Sequence, residues 1–209
     1  MVRAGVHGAR RAGRGAAGGA VDVTAVRERE ELRVAVRRGH RVKYLFFWGH
    51  RPPRAGGVGP GCLSQWWPAR FTVDGVEYAS AEHYMMAAKA RLFGDEVTEQ
   101  RVLAAPHPGA AKALGRQVRG FDEGCWARER YGIVVRAGRA KFGQDARLRD
   151  FLLGTAGRVL VEASPLDRVW GIGLAADDAG ATDPERWPGL NLLGFALMEA
   201  REELAVTQP

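Results

Sequence analysis

Glu82, His83, Tyr84 and Lys89 fall within one run, Ala81 to Leu92, of strong helix formers without a breaker. Glu82 and Lys89 are seven residues apart, nearly two full turns. A helix therefore sets them on one face, about 10 Å apart along its axis. Side chains lean toward the helix N-terminus, so Lys89 points back toward Glu82. A small ring could lie between the two tips, and Met85 and Met86 beside the gap imply a face at least partly buried. A carboxylate there can stabilise positive charge or move a proton. Lysine is scarce in the main body, where Lys89, Lys112 and Lys141 stand among many arginines. Only lysine can lose its proton and act as a nucleophilic amine. The plainer alternative is a solvent-exposed lysine with a first-turn acid, the commoner case on helices. His83 and Tyr84 are more often packing or capping residues than ligands. No second histidine stands at metal spacing, so no metal is expected.

A second group is Asp167-Arg168-Val169-Trp170-Gly171-Ile172-Gly173. Trp170 flanked by glycines after a strand suits a loop where backbone approaches a flat ligand and the indole stacks on it. A core tryptophan in a tight turn explains the same residues equally well. Asn191, ahead of Leu192, reads first as a helix cap. Gly171-Ile172-Gly173 is too short for a phosphate loop.

The elements that must position these groups follow from local chemistry. Tyr44 to Trp48 reads as a buried strand, and the Pro/Gly-rich Arg51 to Gly61 as a loop. Asp74-Gly75 between two β-prone runs, Phe71–Val73 and Val76–Tyr78, predicts a hairpin with a type I′ turn. Ser80 is a good N-cap for the Ala81–Leu92 helix. Further helices are expected at Val97–Ala104, Gly109–Gln117, Cys125–Phe142, Ala146–Leu153 and Leu192–Leu204, and a strand at Arg158–Glu162. The Leu174 to Leu190 stretch, with several Asp and Pro and Trp187, could form a lid. The sum is an α+β fold: one helix-rich domain over 44–209 with a small, mostly antiparallel strand component.

The chain has 209 residues, and 46% are apolar, enough for a real core. No stretch approaches the roughly 18 apolar residues that span a bilayer, so no membrane is expected. Cys62 and Cys125 carry no spacing pattern, which favours a reducing compartment and a cytoplasmic location. The formal net charge is +7. Residues 1–43 hold 11 Lys+Arg against 4 Asp+Glu, while residues 44–209 hold 20 of each. The excess therefore belongs to a low-complexity leader, expected to be a solvated tail, with a short charged helix within Val26–Arg38. A duplex-binding domain would show a basic excess of its own.

The run from Phe71 to Ala90, with Glu82, His83, Tyr84 and Lys89, resembles the hairpin and helix of the NADAR (YbiA-like) family. Other pieces follow in order. They are Ser64-Gln65-Trp66, Ala113-Leu114-Gly115-Arg116, Ala140-Lys141-Phe142, Val161 to Pro165, Asp167 with Trp170 to Gly173, and Asn191 to Gly194. The resemblance covers about residues 44–205. It implies an N-glycosidase, without cofactor, that hydrolyses early phosphoribosylated pyrimidine intermediates of riboflavin biosynthesis and releases ribose 5-phosphate. Other members remove ADP-ribose from guanine bases; nucleic acid enters as a partner only on that alternative. A third reading is a non-catalytic nucleotide-binding module. The resemblance makes Glu82 and Lys89 the catalytic candidates. Ser64, Gln65, Trp66, His83, Tyr84, Arg116, Asp167, Trp170, Gly171, Gly173 and Asn191 are the substrate-binding candidates. Gln65-Trp66 replaces the family's more usual Asn-Phe, so the polar edge of the pocket differs.

Overall fold

In the computed structural model, residue 23 and residues 25–206 are described. The low-complexity segment Met1 to Ala20 lies outside them. Within the charged leader, helix α1 spans Arg29–Arg37 and buries Leu32 and Ala35. Strand β1 (Tyr44–Phe47) follows. The next loop ends in a 3-10 turn, Pro60–Leu63, that leads into Ser64-Gln65-Trp66.

The hairpin forms where the turn chemistry places it. Strand β2 (Phe71–Val73) pairs with β3 (Val76–Tyr78) antiparallel, with Phe71 opposite Tyr78. Asp74 and Gly75 both adopt positive φ, 51° and 79°, as a type I′ turn requires. Helix α2 (Ala81–Leu92) starts two residues later, and the Ser80 hydroxyl accepts the His83 N–H as its cap. Every residue from Ala81 to Ala88 is buried, so α2 is the central rod of the domain rather than a surface helix.

Helices α3 (Glu96–Leu103) and α4 (Pro108–Gly115) pack on one side of α2, and the long α5 (Glu123–Gly143) packs on another. Helix α6 (Ala146–Leu153), capped by Asp145, leads to β4 (Val159–Glu162). Helix α7 (Leu192–Val206) packs against both α5 and β4. A Cβ on Gly138 of α5 would sit 3.1 Å from Ala200 of α7, which shows how closely these two rods approach.

The architecture is α+β, with seven α-helices among the described residues. One expectation fails. Strands β1 and β4 pair in parallel, Tyr44 opposite Val159 and Phe47 opposite Glu162, so only the hairpin is antiparallel. The chain returns to β4 after five helices, a connection long enough to cross over as parallel pairing demands. The 174–190 stretch is not a free lid either. Trp187 is buried, its indole N–H donates to Ala181 O at 2.9 Å, and Arg29 and Arg33 of α1 bind the segment from outside.

Candidate active site

Helix α2 delivers Glu82 from its first turn into the domain interior. The residue is only 2% exposed, and its Oε1 is buried with no hydrogen-bond partner. Its own N–H donates to Gln65 O at 3.0 Å, which ties the helix start to the loop after the 3-10 turn. Trp66, the next residue of that loop, lies within hydrogen-bonding reach of the Glu82 carboxylate. Burial pushes the Glu82 carboxyl up to about 7. Lys112, Trp66 and Arg116 pull it down, and Asp167 adds to the rise.

A second carboxylate stands nearby. Glu162 ends the otherwise apolar strand β4, and its Oε2 is likewise buried without a partner. Burial pushes this carboxyl up to about 8. Asp167 and Glu82 raise it further, and Lys112 opposes them. Unpaired buried carboxylate oxygens are costly, and a fold that only needed packing would avoid two of them. The two environments differ in a useful way. Glu82 has two cations and an N–H donor favouring its ionised form, whereas Glu162 has one cation and two opposing carboxylates. Glu82 therefore ionises first and Glu162 keeps its proton longer.

Helix α4 and its C-cap supply the cations. Lys112 and Arg116 are four residues apart, on one face. Lys112 Nζ lies 5.9 Å from the Trp66 ring, and His50 contacts the same indole with ring centroids 5.8 Å apart. Asp167 accepts the N–H groups of Val169 and Trp170 through Oδ1, at 2.9 and 2.8 Å, and so shapes the turn that carries Trp170. Trp170 packs half-buried against the core.

Several sequence candidates stand elsewhere or do other work. Lys89 shares a face with Glu82, and Met86 lies on that face between them in sequence. Met86 packs so tightly on α4 that a Cβ on Gly115 would collide with its sulfur. The Lys89 ammonium donates to Gly115 O at 2.9 Å and sits 4.0 Å from the centroid of the Phe121 ring. Desolvation lowers its pKa, opposed by Glu123. His83 is 1% exposed. Its Nε2 donates to Ala105 O at 3.1 Å and its Nδ1 lies 2.7 Å from Ser80 Oγ, so both ring nitrogens serve the fold. Tyr84 faces the hairpin, edge-on to Tyr78. Asn191 is fully buried at φ 56°. Its side chain accepts Glu162 N–H at 3.0 Å and donates to Leu160 O at 2.9 Å. It braces the strand that carries Glu162 rather than offering its amide to a ligand.

The glycines are packed against the protein itself. A Cβ on Gly171 would stand 2.8 Å from Glu162 O, and one on Gly173, at φ +73°, would stand 2.7 Å from Pro188 Cγ. Ser64 accepts Trp66 N–H at 3.1 Å, and Gln65 is buried with Oε1 unpaired. Sequence reasoning left out Glu162 and Lys112. A lone acid closing the run Val159-Leu160-Val161 was the signal for the first. The i,i+4 spacing to Arg116 was the signal for the second. Among the described residues, no cluster of three or more His, Cys, Asp or Glu is placed to hold a metal ion. No helix there is long and apolar enough to cross a membrane.

Comparison with known proteins gives a consistent result. The model of the NADAR domain matches residues 46–205. N-glycosidase R617 of Acanthamoeba polyphaga mimivirus is 43% identical over 166 residues, 77% of this chain and 96% of the relative. N-glycosidase YbiA of Escherichia coli (strain K12) is 35% identical over 140 residues, 67% of this chain and 78% of the relative. The NMR structure of E. coli YbiA superposes with a TM-score of 0.61 at 29% identity, covering 80% of this chain and 88% of that one.

Proposed function

The chain belongs to the NADAR family, and we propose that it is an N-glycosidase of early phosphoribosylated pyrimidine intermediates of riboflavin biosynthesis, releasing ribose 5-phosphate. Hydrolysis of N-glycosyl bonds is the activity named for its relatives R617 and YbiA. The observation that carries the reading is a pair of carboxylates, the buried Glu82 and the half-buried Glu162, each with a buried unpaired oxygen and each shifted toward neutral pH.

The chemistry follows from that difference in acidity. As the bond from ribose C1 to nitrogen breaks, its electron pair moves to nitrogen and positive charge develops at C1. Glu162, still protonated, gives its proton to the departing nitrogen. Glu82, ionised, stabilises the charge and takes a proton from the water that attacks C1. The proton lost by Glu162 and the proton gained by Glu82 balance, and exchange with solvent resets the pair. Lys112 and Arg116, one turn apart on α4, form a rim suited to a single phosphate. Trp66 offers its ring to the leaving base, and Trp170 flanks it. The equal counts of acids and bases over 44–209 suit a small substrate better than a nucleic acid.

A second reading concerns Lys89. Its depressed pKa favours the neutral amine, which can attack C1 of a ring-opened sugar and form a Schiff base. That requires its tip to leave Gly115 O. Borohydride reduction during turnover distinguishes the two: a stable adduct on Lys89 supports the amine, and its absence supports direct hydrolysis. The main test is a turnover screen of purified protein against phosphoribosylated aminopyrimidines and ADP-ribosylated guanine oligonucleotides. Ribose 5-phosphate release from the first class is the expected result. Exclusive turnover of the second would replace the substrate assignment, and binding without turnover would replace the enzyme by a module.

A further inference from the structure

Lys141 is the most deeply buried cation of the described chain that the mechanism above leaves unused. It lies on α5, is 2% exposed, and donates to two backbone carbonyls, Cys62 O at 2.6 Å and Ser64 O at 2.8 Å. Among the described residues no carboxylate pairs with it; burial pushes its pKa down to about 7, with Cys62 opposing. Burying an ammonium without a counter-ion is costly, and an apolar residue would pack there more cheaply. Its two partners explain the position. They belong to the turn that runs directly into Gln65 and Trp66, which hold Glu82 from backbone and side chain.

We propose that Lys141 is a positioning residue of the hydrolytic site: its ammonium anchors the Cys62–Ser64 carbonyls so that Trp66 presents its indole N–H to Glu82. The linkage runs through consecutive contacts. Lys141 fixes Ser64 O, the Ser64 hydroxyl accepts Trp66 N–H, Gln65 O accepts Glu82 N–H, and the Trp66 indole reaches the Glu82 carboxylate. An indole is a donor only, so it favours the ionised acid. Without the anchor, Cys62 O loses its side-chain donor and Ser64 O keeps only the Trp67 N–H, the turn relaxes, and that stabilisation of the Glu82 anion weakens. The other groups that set Glu82 are untouched: Lys112 and Arg116 on α4, Asp167 after β4, and Glu162 on β4.

The proposal rests on the reading of Glu82 as part of the site, and its test does not depend on turnover. Carbon-13 carboxyl NMR of the full chain follows the Glu82 titration, assigned by its loss in Glu82→Gln. In Lys141→Met the Glu82 midpoint should rise by about 0.5 unit or more. Lys141→Arg, which keeps a cation and N–H donors, should return part of the shift. In a substrate assay the same variant should lower kcat about tenfold or more with little change in KM, and move the acid limb of the profile to higher pH. An unchanged Glu82 midpoint in a folded Lys141→Met overturns the proposal. If that variant does not fold, Lys141→Gln and Lys141→Arg are read in the same way. Unfolding of all three would assign Lys141 to folding alone and also overturn it. If no glycoside is turned over by the wild-type chain, the functional reading fails while the NMR titration still decides the role of Lys141.

Discussion

Two regions of this molecule use carboxylates in opposite ways. Where α1 meets the 184–189 segment, acids and arginines are matched. Arg33 pairs with both Glu30 and Glu185, Arg37 with both of these acids, and Arg29 donates to Trp187 O at 2.7 Å and Gly189 O at 3.1 Å. The Glu185 carboxyl is held below its usual range by Arg33. At the start of α2 and the end of β4, Glu82 is buried and Glu162 half-buried, each with a buried oxygen left unpaired, and both rise toward neutral pH. The first region is cross-linked for shape. The second carries electrostatics that Lys112 and Arg116 only partly offset, and such groups cluster where chemistry is done.

Breaking the buried side should have the larger effects. Glu82→Gln should cost about a hundred- to ten-thousand-fold in kcat, with the fold intact by circular dichroism. Glu162→Gln should cost on the order of a hundred-fold and remove the alkaline limb of the kcat profile. With Glu82 ionising near 7 and Glu162 near 8, the active form, one ionised and one protonated, is most populated between those values. Activity should fall on both sides, and a flat profile from pH 5 to pH 10 would contradict the paired assignment (about two units beyond each step).

The same shifts sharpen the comparison through stability. Both carboxyls bind protons more tightly folded than unfolded, because burial raises them above the ordinary glutamate range. The stability this brings is fully present below the unfolded value. It is lost as pH rises through about 7 and then about 8. Thermal unfolding should therefore shift to lower temperature over that window, and Glu82→Gln should flatten part of the slope. Glu185 has the opposite sign, and being exposed it should add little.

The smallest effects belong to the matched region. Arg33→Ala should cost about 1 kcal/mol or less of stability, and its effect should shrink in high salt. Arg29→Ala should do slightly more, because two loop carbonyls lose their donor. The 187–189 segment backs onto the Gly171–Ile172 turn, where Gly189 N–H donates to Ile172 O at 2.9 Å. A few-fold loss in kcat for Arg29→Ala would show that α1 braces the site. An unchanged kcat would confine it to stability.

Much of the scaffold was legible because its causes are local. The Asp74-Gly75 turn, the Ser80 cap and the Asp145 cap act within a few residues, and each element they start lies where the sequence places it. The site was half legible. Glu82 and Trp66 are both sequence candidates and Trp66 acts on the Glu82 carboxyl, but the Glu82–Lys89 face did not predict that Met86 would pack against Gly115 and Lys89 would bond Gly115 O. Glu162 lies eighty residues from Glu82, and no periodicity links them.

Residue type and spacing by themselves determined the helices, the hairpin, the cap residues and an acid set at the start of a buried rod. Tertiary structure alone decided that β1 pairs with β4 in parallel, that Glu162 and Lys112 share the surroundings of Glu82 while Lys89 turns to Gly115 O, and that Lys141 donates to backbone carbonyls. The reason is physical. Turns and caps are fixed by short-range sterics and hydrogen bonds, whereas the acidity of a carboxyl depends on how far the whole fold removes it from water and which charges it brings alongside.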